Sequence, residues 1–326
     1  MFRTASFVLA FLIVFSTTML AQNASQGLRT GWGDPDLQGV WDFRTLTPLE
    51  RPDEFEGKAF LTEEEAAVFE QQTLEERDMD RRDGAEIPAG LDADVERAYN
   101  QFWWDFGTEI SENRRTSLIT DPPDGKIPWT PEGVERNAAL FATLFGNVPE
   151  GPEDRALSER CILGFNSGPP MLPSAYNNNV QVLQTPDHVV IYNEMVHNVR
   201  VVPLNDAPHL SADLRQWTGD SRGHWEGETL VVETTNFLGD TQFPGSSANL
   251  HLIERFTRID EDALLYEFTP RDPEVWTSPW TAAVPMKRSD APMFEYACHE
   301  GNYGMTNLLA GARAEERDAD NLIGSR

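Results

Sequence analysis

Cysteine is almost absent from this sequence. Cys161 and Cys298 are its only two cysteines in 326 residues, and the paired Cys-x-x-Cys spacing of zinc sites does not occur. In an exported protein, two distant cysteines form a disulfide more often than they serve catalysis, because the compartment is oxidising. We therefore predict a Cys161–Cys298 disulfide. The alternatives are two free buried thiols, or a metal or nucleophile role for Cys298 beside His299.

Basic residues are also scarce relative to acidic ones. The chain has 26 Lys and Arg against 54 Asp and Glu, which gives a formal net charge of -28 at pH 7. Such a surface repels phosphate backbones and anionic lipid, so nucleic acid is excluded as a partner. The excess of acid is typical of a soluble surface or a saline habitat, and a cation-binding role is the alternative.

Long apolar runs are limited to one. Residues 5–20 follow Met-Phe-Arg and precede Ala21, which is the layout of a secretory signal peptide. We predict that residues 1–21 are removed during bacterial export and that the mature protein is periplasmic or secreted. An uncleaved anchor is the alternative, because Met19 stands where a smaller residue is usual. The rest of the chain has no second run, which excludes a membrane-spanning body.

Several chemical motifs are missing as well. There is no phosphate-binding glycine loop, no dinucleotide fingerprint and no His-Glu-x-x-His zinc motif, so the sequence predicts no cofactor. A metal site would have to assemble strand-end histidines, such as His197, His224, His251 or His299, from separate strands. Gly-x-Ser-x-Gly does occur around Ser221, but a strand follows it, whereas the nucleophile elbow of a hydrolase lies between a strand and a helix.

The chain predicts an N-terminal region, a β-rich body and a C-terminal helix. Residues 22–175 hold a strand near Val40, a helical arm and a proline-rich wrapping segment that is either a lid or rim or plain surface. Residues 176–304 form the β body, and residues 305–326 form the last helix and tail. We expect 22–326 to be one structural unit. Three N-terminal helices are predicted at 62–82, where Thr62 and Glu65 form a capping box, at 93–106 and at 131–145.

The β body shows strand after strand with few helices between them. Short, turn-prone joins such as Thr185-Pro-Asp187 favour an antiparallel meander over parallel units. The predicted fold is mainly β with added helices (α+β), with the meander forming a closed or curled, lipocalin-like barrel. The predicted strands of the body cover residues 180–184, 188–192, 199–204, 229–234, 252–259, 263–269, 280–286 and 294–299.

Strand 252–259 carries charged residues on both of its faces. Alternation places Glu254 and Arg258 on one face and Arg255 on the other. We predict that one face lines a polar cavity. The alternative is an outward ladder of solvated charges.

A polar, glycine-punctuated loop, Gly219 to Glu226, concentrates groups suited to proton transfer. His224 and Glu226 are two residues apart, so they share a face if this stretch is extended, and a carboxylate can orient or tune a histidine. We predict His224, Glu226 and Asp220 as catalytic residues. Structural hydrogen bonding and core packing are the alternative roles for these residues and for the predicted substrate-binding residues, which are Arg222, Trp225, Arg200, Arg255 and Trp217.

Recurrent segments of the chain resemble a large family of secreted bacterial proteins. The segments are residues 114–125, 159–161, 223–237, 254–258, 276–282 and 296–303, and the family motif is Gly-His-Trp-Glu-Gly-[Asp/Glu]-Thr-Leu-Val-Val. No activity or catalytic residue is assigned in that family. The resemblance implies export and implies that the cysteine segments and the His224 segment are parts of one design.

These observations predict an exported small-molecule-binding protein with a His–carboxylate acid–base site, acting as a hydrolase or lyase on a sugar-like or aromatic substrate. One alternative is a non-catalytic periplasmic binding or interaction module. Another is a metal-binding protein that uses the strand-end histidines. Convergence of the polar groups in a concave pocket would favour an enzyme, and pairing on a flat surface would favour binding.

Overall fold

The computed structural model describes residues 28–78, 80, 101–145, 149–239, 243 and 245–324. The predicted signal peptide and residues 93–100 of the second predicted helix lie outside the described residues. Within the described ranges, no helix is both long enough and apolar enough to cross a membrane.

The strands of the described chain form one antiparallel sheet. The order across it is β5-β4-β3-β1-β10-β9-β8-β7-β6, and β2 pairs with the first two residues of β10. Strands that are neighbours in sequence pair within two runs, β3 to β5 and β6 to β10, and β1 joins the runs. The predicted antiparallel meander is confirmed. The strands are β1 (Gly39–Asp42), β2 (Ile119–Asp121), β3 (Asn179–Gln184), β4 (His188–Asn193), β5 (Val199–Pro203), β6 (Asp220–Glu226), β7 (Thr229–Thr235), β8 (His251–Arg258), β9 (Ala263–Arg271) and β10 (Thr281–Ser289).

Three α-helices accompany the sheet in the described ranges: α1 (Glu63–Glu76), α2 (Pro131–Phe145) and α3 (Tyr303–Gly324). The predicted capping box is present, since the Thr62 side chain accepts from the Glu65 backbone and the Glu65 carboxylate accepts from the Thr62 backbone. Helix α1 ends at Glu76 rather than near residue 82. Residues 101–103, from the second predicted helix, form a single 3-10 turn.

The sheet curls until its two outermost strands meet, but it does not close by hydrogen bonding. No ladder joins β5 to β6 among the described residues. At this seam a Cβ on Gly223 would lie 2.9 Å from Val202 Cγ1 and 2.8 Å from Leu204 Cδ2. Side chains of β5 and of the residue after it therefore pack against β6 at this seam without a hydrogen-bonded ladder, and the closed barrel is not confirmed.

The concave side of the sheet is packed with apolar side chains. Residues at alternate positions of each strand point inward and bury aromatic rings such as Trp41, Phe256, Phe268 and Trp280. The proline-rich segment also contributes, because Met171 is fully buried in the same cluster. Its backbone N–H donates to the hydroxyl of Tyr266 on β9, 3.1 Å away. Part of this segment is thus a core element.

Two predicted elements differ in the structure. Residues 219–226 are not a polar loop: Asp220–Glu226 is strand β6, in which Gly223 interrupts the alternation of side chains. Residues 294–299 are not a strand. They are held instead by the confirmed disulfide, in which the Cα atoms of Cys161 and Cys298 are 5.6 Å apart, and by a bond from the Phe294 N–H to Glu194 Oε1.

Candidate functional site

The predicted His–carboxylate pair is present on the outer face of β6. His224 Nε2 lies 3.3 Å from Glu226 Oε1, and both side chains are half exposed. Arg255, on β8, donates to the other oxygen of Glu226 at 2.8 Å. The hydrogen bond from Arg255, followed by that from His224, lowers the pKa of Glu226 below its usual value. The structure therefore unites three predicted site residues, on an open strand surface.

Asp220 belongs to a separate cluster at the start of β6. Four residues of strand, about 13 Å, separate it from His224. Its carboxylate accepts from Arg222 Nη1 at 2.7 Å and from the Leu210 N–H at 2.9 Å, and it lies 3.0 Å from His209 Nδ1. Burial raises the pKa of Asp220. The three hydrogen bonds together lower it by more than burial raises it, so the pKa of Asp220 lies below its usual value. His209 was not predicted, because it comes from the preceding loop.

A third His–carboxylate pair joins two strands. His251 Nε2 on β8 lies 2.6 Å from Glu233 Oε1 on β7. Glu254, which is three residues from His251 in sequence, is buried inside the sheet and does not contact it. Each of the three pairs holds its carboxylate by hydrogen bonds on the sheet surface or under a loop.

Arg200, predicted to bind substrate, lies inside the curled sheet. Both terminal nitrogens of its guanidinium donate hydrogen bonds to the carboxylate of Glu254, at 2.6 and 2.8 Å. The hydroxyl of Tyr266 donates to the same carboxylate at 2.8 Å and accepts from the Met171 N–H. Burial, followed by the charge of Glu254, raises the pKa of Tyr266. This polar chain is buried, so Glu254 lies in the packed interior; the predicted polar cavity along strand 252–259 stays a prediction.

The two predicted stacking tryptophans are half-buried. Trp225 packs against the core from the inner face of β6. Its indole Nε1 is buried and has no hydrogen-bond partner among the described residues. Trp217 lies in the connection before β6. The structure does not gather the two rings around His224.

The concave feature of interest lies elsewhere, beside the C-terminal end of α1. It is a cavity of about 160 Å³. Hydroxyl groups line one part of it, and apolar side chains line the rest. Its lining includes Thr45, Thr47, Ser174, Leu49, Leu118 and Leu172.

Arg77 supplies the charge of this cavity. Its guanidinium carbon lies 4.9 Å from the ring centre of Phe106, which also lines the cavity. Within the described residues its side chain makes no hydrogen bond and no ion pair. Burial lowers the pKa of Arg77, and the nearby charge of Glu76 offsets part of that effect. The sequence placed Arg77 inside the predicted helix 62–82 and gave no sign of its contact with Phe106, which lies 29 residues further along the chain.

A second, more open cavity of about 480 Å³ lies beside the disulfide. Its lining includes Glu159, Glu295, Glu300, Tyr296 and Asn302. Two oxygens of Glu159 already accept from Arg155. In the part of the chain that the structure describes, no three His, Cys, Asp or Glu side chains are grouped to hold a metal ion.

Comparisons with protein-family models, with curated proteins and with solved structures found no match for this chain. The resemblance to a secreted bacterial family therefore stays a prediction.

Proposed function

We propose that this is an exported small-molecule-binding protein, and that its ligand is a small carboxylate with an apolar body. The observation that carries the proposal is the half-buried guanidinium of Arg77 in a cavity: it feels the charge of Glu76 but makes no ion pair or hydrogen bond among the described residues. Arginine binds carboxylates in a planar, two-pronged geometry. A ligand carboxylate would supply the missing partner.

The dimensions and walls of the cavity support a ligand of one ring. A volume of about 160 Å³ is close to that of engineered apolar cavities of about 150 Å³ that take up benzene. Leu49, Leu118, Leu172 and Phe106 offer an apolar wall for the ring. Thr45 and Thr47 also line the cavity, but their hydroxyls already bond to Glu109 and Ser111, which leaves Arg77 as the group that would hold the carboxylate.

The state of the predicted acid–base residues supports binding rather than catalysis. Glu226 and Asp220, like the unpredicted Glu233, are each held by a cation or a histidine on the sheet or under a loop. None of them lines the cavity of Arg77. The disulfide supports the proposed export, because such bonds persist in oxidising compartments. The lipocalin-like character of the barrel also belongs to this proposal, with the β5–β6 seam closed by side chains.

The test is a titration calorimetry comparison of benzoate with its neutral isostere benzamide. We expect benzoate to bind the natural protein and to bind Arg77→Gln at least about tenfold more weakly, equivalent to one charge-assisted hydrogen bond. Benzamide should discriminate little between the two proteins.

Arg115→Gln is the matched control for this titration. Arg115 also lies over an aromatic ring, that of Phe60, at 5.3 Å, but it does not line the cavity. It should leave benzoate affinity unchanged. Equal loss in both variants, or equal affinity of Arg77→Gln and natural protein for benzoate, contradicts the proposal.

A second candidate function, an acid–base hydrolase or lyase on a sugar-like or aromatic substrate, rests on the contact between His224 and Glu226. Here His224 exchanges the proton, Glu226 orients it and Arg255 holds the substrate. An untargeted metabolite screen should find turnover that His224→Ala abolishes and His251→Ala preserves, because His251 forms a comparable pair outside this group. Full turnover by His224→Ala removes this candidate.

A further inference from the structure

Asn193 presents an unusual polar side chain to the interior of the curled sheet. The residue is 1% exposed, and neither its Oδ1 nor its Nδ2 has a hydrogen-bond partner among the described residues. A side-chain amide can make about four hydrogen bonds. Leaving such a group dry and unpaired in a protein interior is strongly unfavourable.

The neighbours of Asn193 in the β4–β5 register share this feature. Asn198 lies opposite, since its carbonyl accepts from the Asn193 N–H at 2.8 Å. Arg200 is the diagonal neighbour, because it pairs with Ile191. The Oδ1 of Asn198 and the Nε of Arg200 are also buried without a partner in the described chain. Adjacent positions thus offer both donors and acceptors.

The same fold satisfies another buried asparagine completely. Asn178 is also 1% exposed. Its Nδ2 donates to the carbonyls of Asp105 and Ser174, and its Oδ1 accepts from the Ser174 N–H and from Asn166. Asn193 differs because its side chain lies on the inner face of the sheet, where the neighbouring backbone groups already hydrogen-bond to other strands.

A partner for Asn193 should be neutral, because the one cation beside it is already paired. Glu254 neutralises Arg200 through two hydrogen bonds and also accepts from the Tyr266 hydroxyl. A hydroxyl group both donates and accepts, which matches the mixed groups of Asn193, Asn198 and Arg200. We propose that the interior of the sheet beside these three residues binds a neutral hydroxyl-bearing molecule, either ordered water or the hydroxyl of an organic ligand. This site is independent of the Arg77 cavity.

The first test measures the thermal midpoint of Asn193→Leu, which replaces the amide by an apolar group of similar size. If a bound molecule bridges the amide, its loss should lower Tm by about 3 °C or more for a domain of this size. If the amide truly has no partner, removing it should leave Tm unchanged or raise it, and that result overturns the proposal. Asn178→Leu is the control that must lower Tm, because its partners are known.

A second measurement covers the case in which Asn193→Leu does not fold. A high-resolution crystal structure of the natural protein should show density within hydrogen-bond distance of Asn193 Nδ2 or Oδ1. Absence of density there overturns the proposal as well. Native against denaturing mass spectrometry of the purified protein then assigns the source: an added mass that denaturation releases indicates an organic ligand, and unchanged mass indicates water.

Discussion

Two arginine–glutamate pairs with similar closest nitrogen–oxygen distances lie on opposite sides of strand β8. Inside the sheet, Arg200 and Glu254 are 2.6 Å apart, with side chains 3% and 0% exposed. Outside, Arg255 and Glu226 are 2.8 Å apart, with side chains 38% and 50% exposed. Glu254 and Arg255 are consecutive residues, so the alternation of β8 alone sends one charge inward and the next outward.

The comparison shows that the distance between charges says little about their energetic role. In water the outer pair gains little, because solvent screens it and both side chains lose freedom. Inside, desolvation is costly for each charge, and only the bidentate contact and the Tyr266 hydroxyl offset it. Loss of one inner partner leaves a buried charge, whereas loss of one outer partner leaves a solvated one.

The largest expected effect comes from breaking the inner pair on one side. Glu254→Ala should lower the free energy of unfolding by about 3–5 kcal/mol, because the charge of Arg200 stays buried without a partner. Urea unfolding followed by circular dichroism measures the loss. The matched outer variant, Glu226→Ala, should unfold almost as the natural protein does. Similar losses in both variants would refute the contrast between the two sides.

A second prediction concerns the seam at which β6 meets β5. Gly223 faces inward against Val202 and Leu204, so Gly223→Val should force these side chains apart and cost about 1–3 kcal/mol. His224→Val, one residue on, places the same side chain on the outer face and should cost little. The thermal midpoints of the two variants decide the matter. If Gly223→Val is the more stable of the two, the strands do not pack at the seam as described.

Removing both inner charges should cost less than removing one. In Arg200→Met with Glu254→Gln, no charge remains buried, and the amide can still accept from Tyr266. We expect the free energy of unfolding to return to within about 1 kcal/mol of the natural protein. Denaturant midpoints of the single and double variants give the coupling. A double variant as unstable as Glu254→Ala would show that the pair itself, rather than the avoidance of an unpaired charge, carries the stability.

The smallest expected effect is the pH dependence of the outer pair. The pKa of Glu226 is lowered from its ordinary value, 4.5, so its stabilising contribution is present above that value and is lost as pH falls through the lowered pKa. The natural protein should therefore melt slightly above Glu226→Gln at pH 7, and the difference should vanish near pH 2. It should also shrink in 1 M NaCl, where charges are screened within about 3 Å.

The control for the pH series is Glu300→Gln, whose carboxylate has no partner among the described residues. Its melting temperature should follow that of the natural protein across the series. A difference for Glu226→Gln that persists at pH 2 would show that the contact acts through packing rather than charge.

Much of the β body followed from local pattern. Seven of the eight predicted strands of the body are present, since alternation and turn residues act over a few neighbours. The shared face of His224 and Glu226 followed from their spacing. Residues 294–299 have a similar pattern, but they pair with no strand of the described sheet, and contacts with Glu194 and Cys161 hold them instead.

The candidate site was less predictable than the fold. Arg77 and Phe106 lie 29 residues apart in sequence, and His209 reaches Asp220 from an irregular connection. No helical or strand periodicity in the sequence links such residues, because contacts made by loops depend on how whole elements pack. The sequence could name residue types suited to chemistry, but it could not say which of them would share a cavity.

The sequence by itself determined the antiparallel meander, the pairing of the two cysteines and the alternation that separates Glu254 from Arg255. The first and third features follow from the alternation of side chains over a few residues. The second follows because the chain has only two cysteines. Tertiary structure alone decided which face of β8 is inside, how far the sheet curls before β5 meets β6, and that Arg77 lines a cavity while His224 lies on an open surface. The reason is physical: burial and curvature are properties of all the packed elements together.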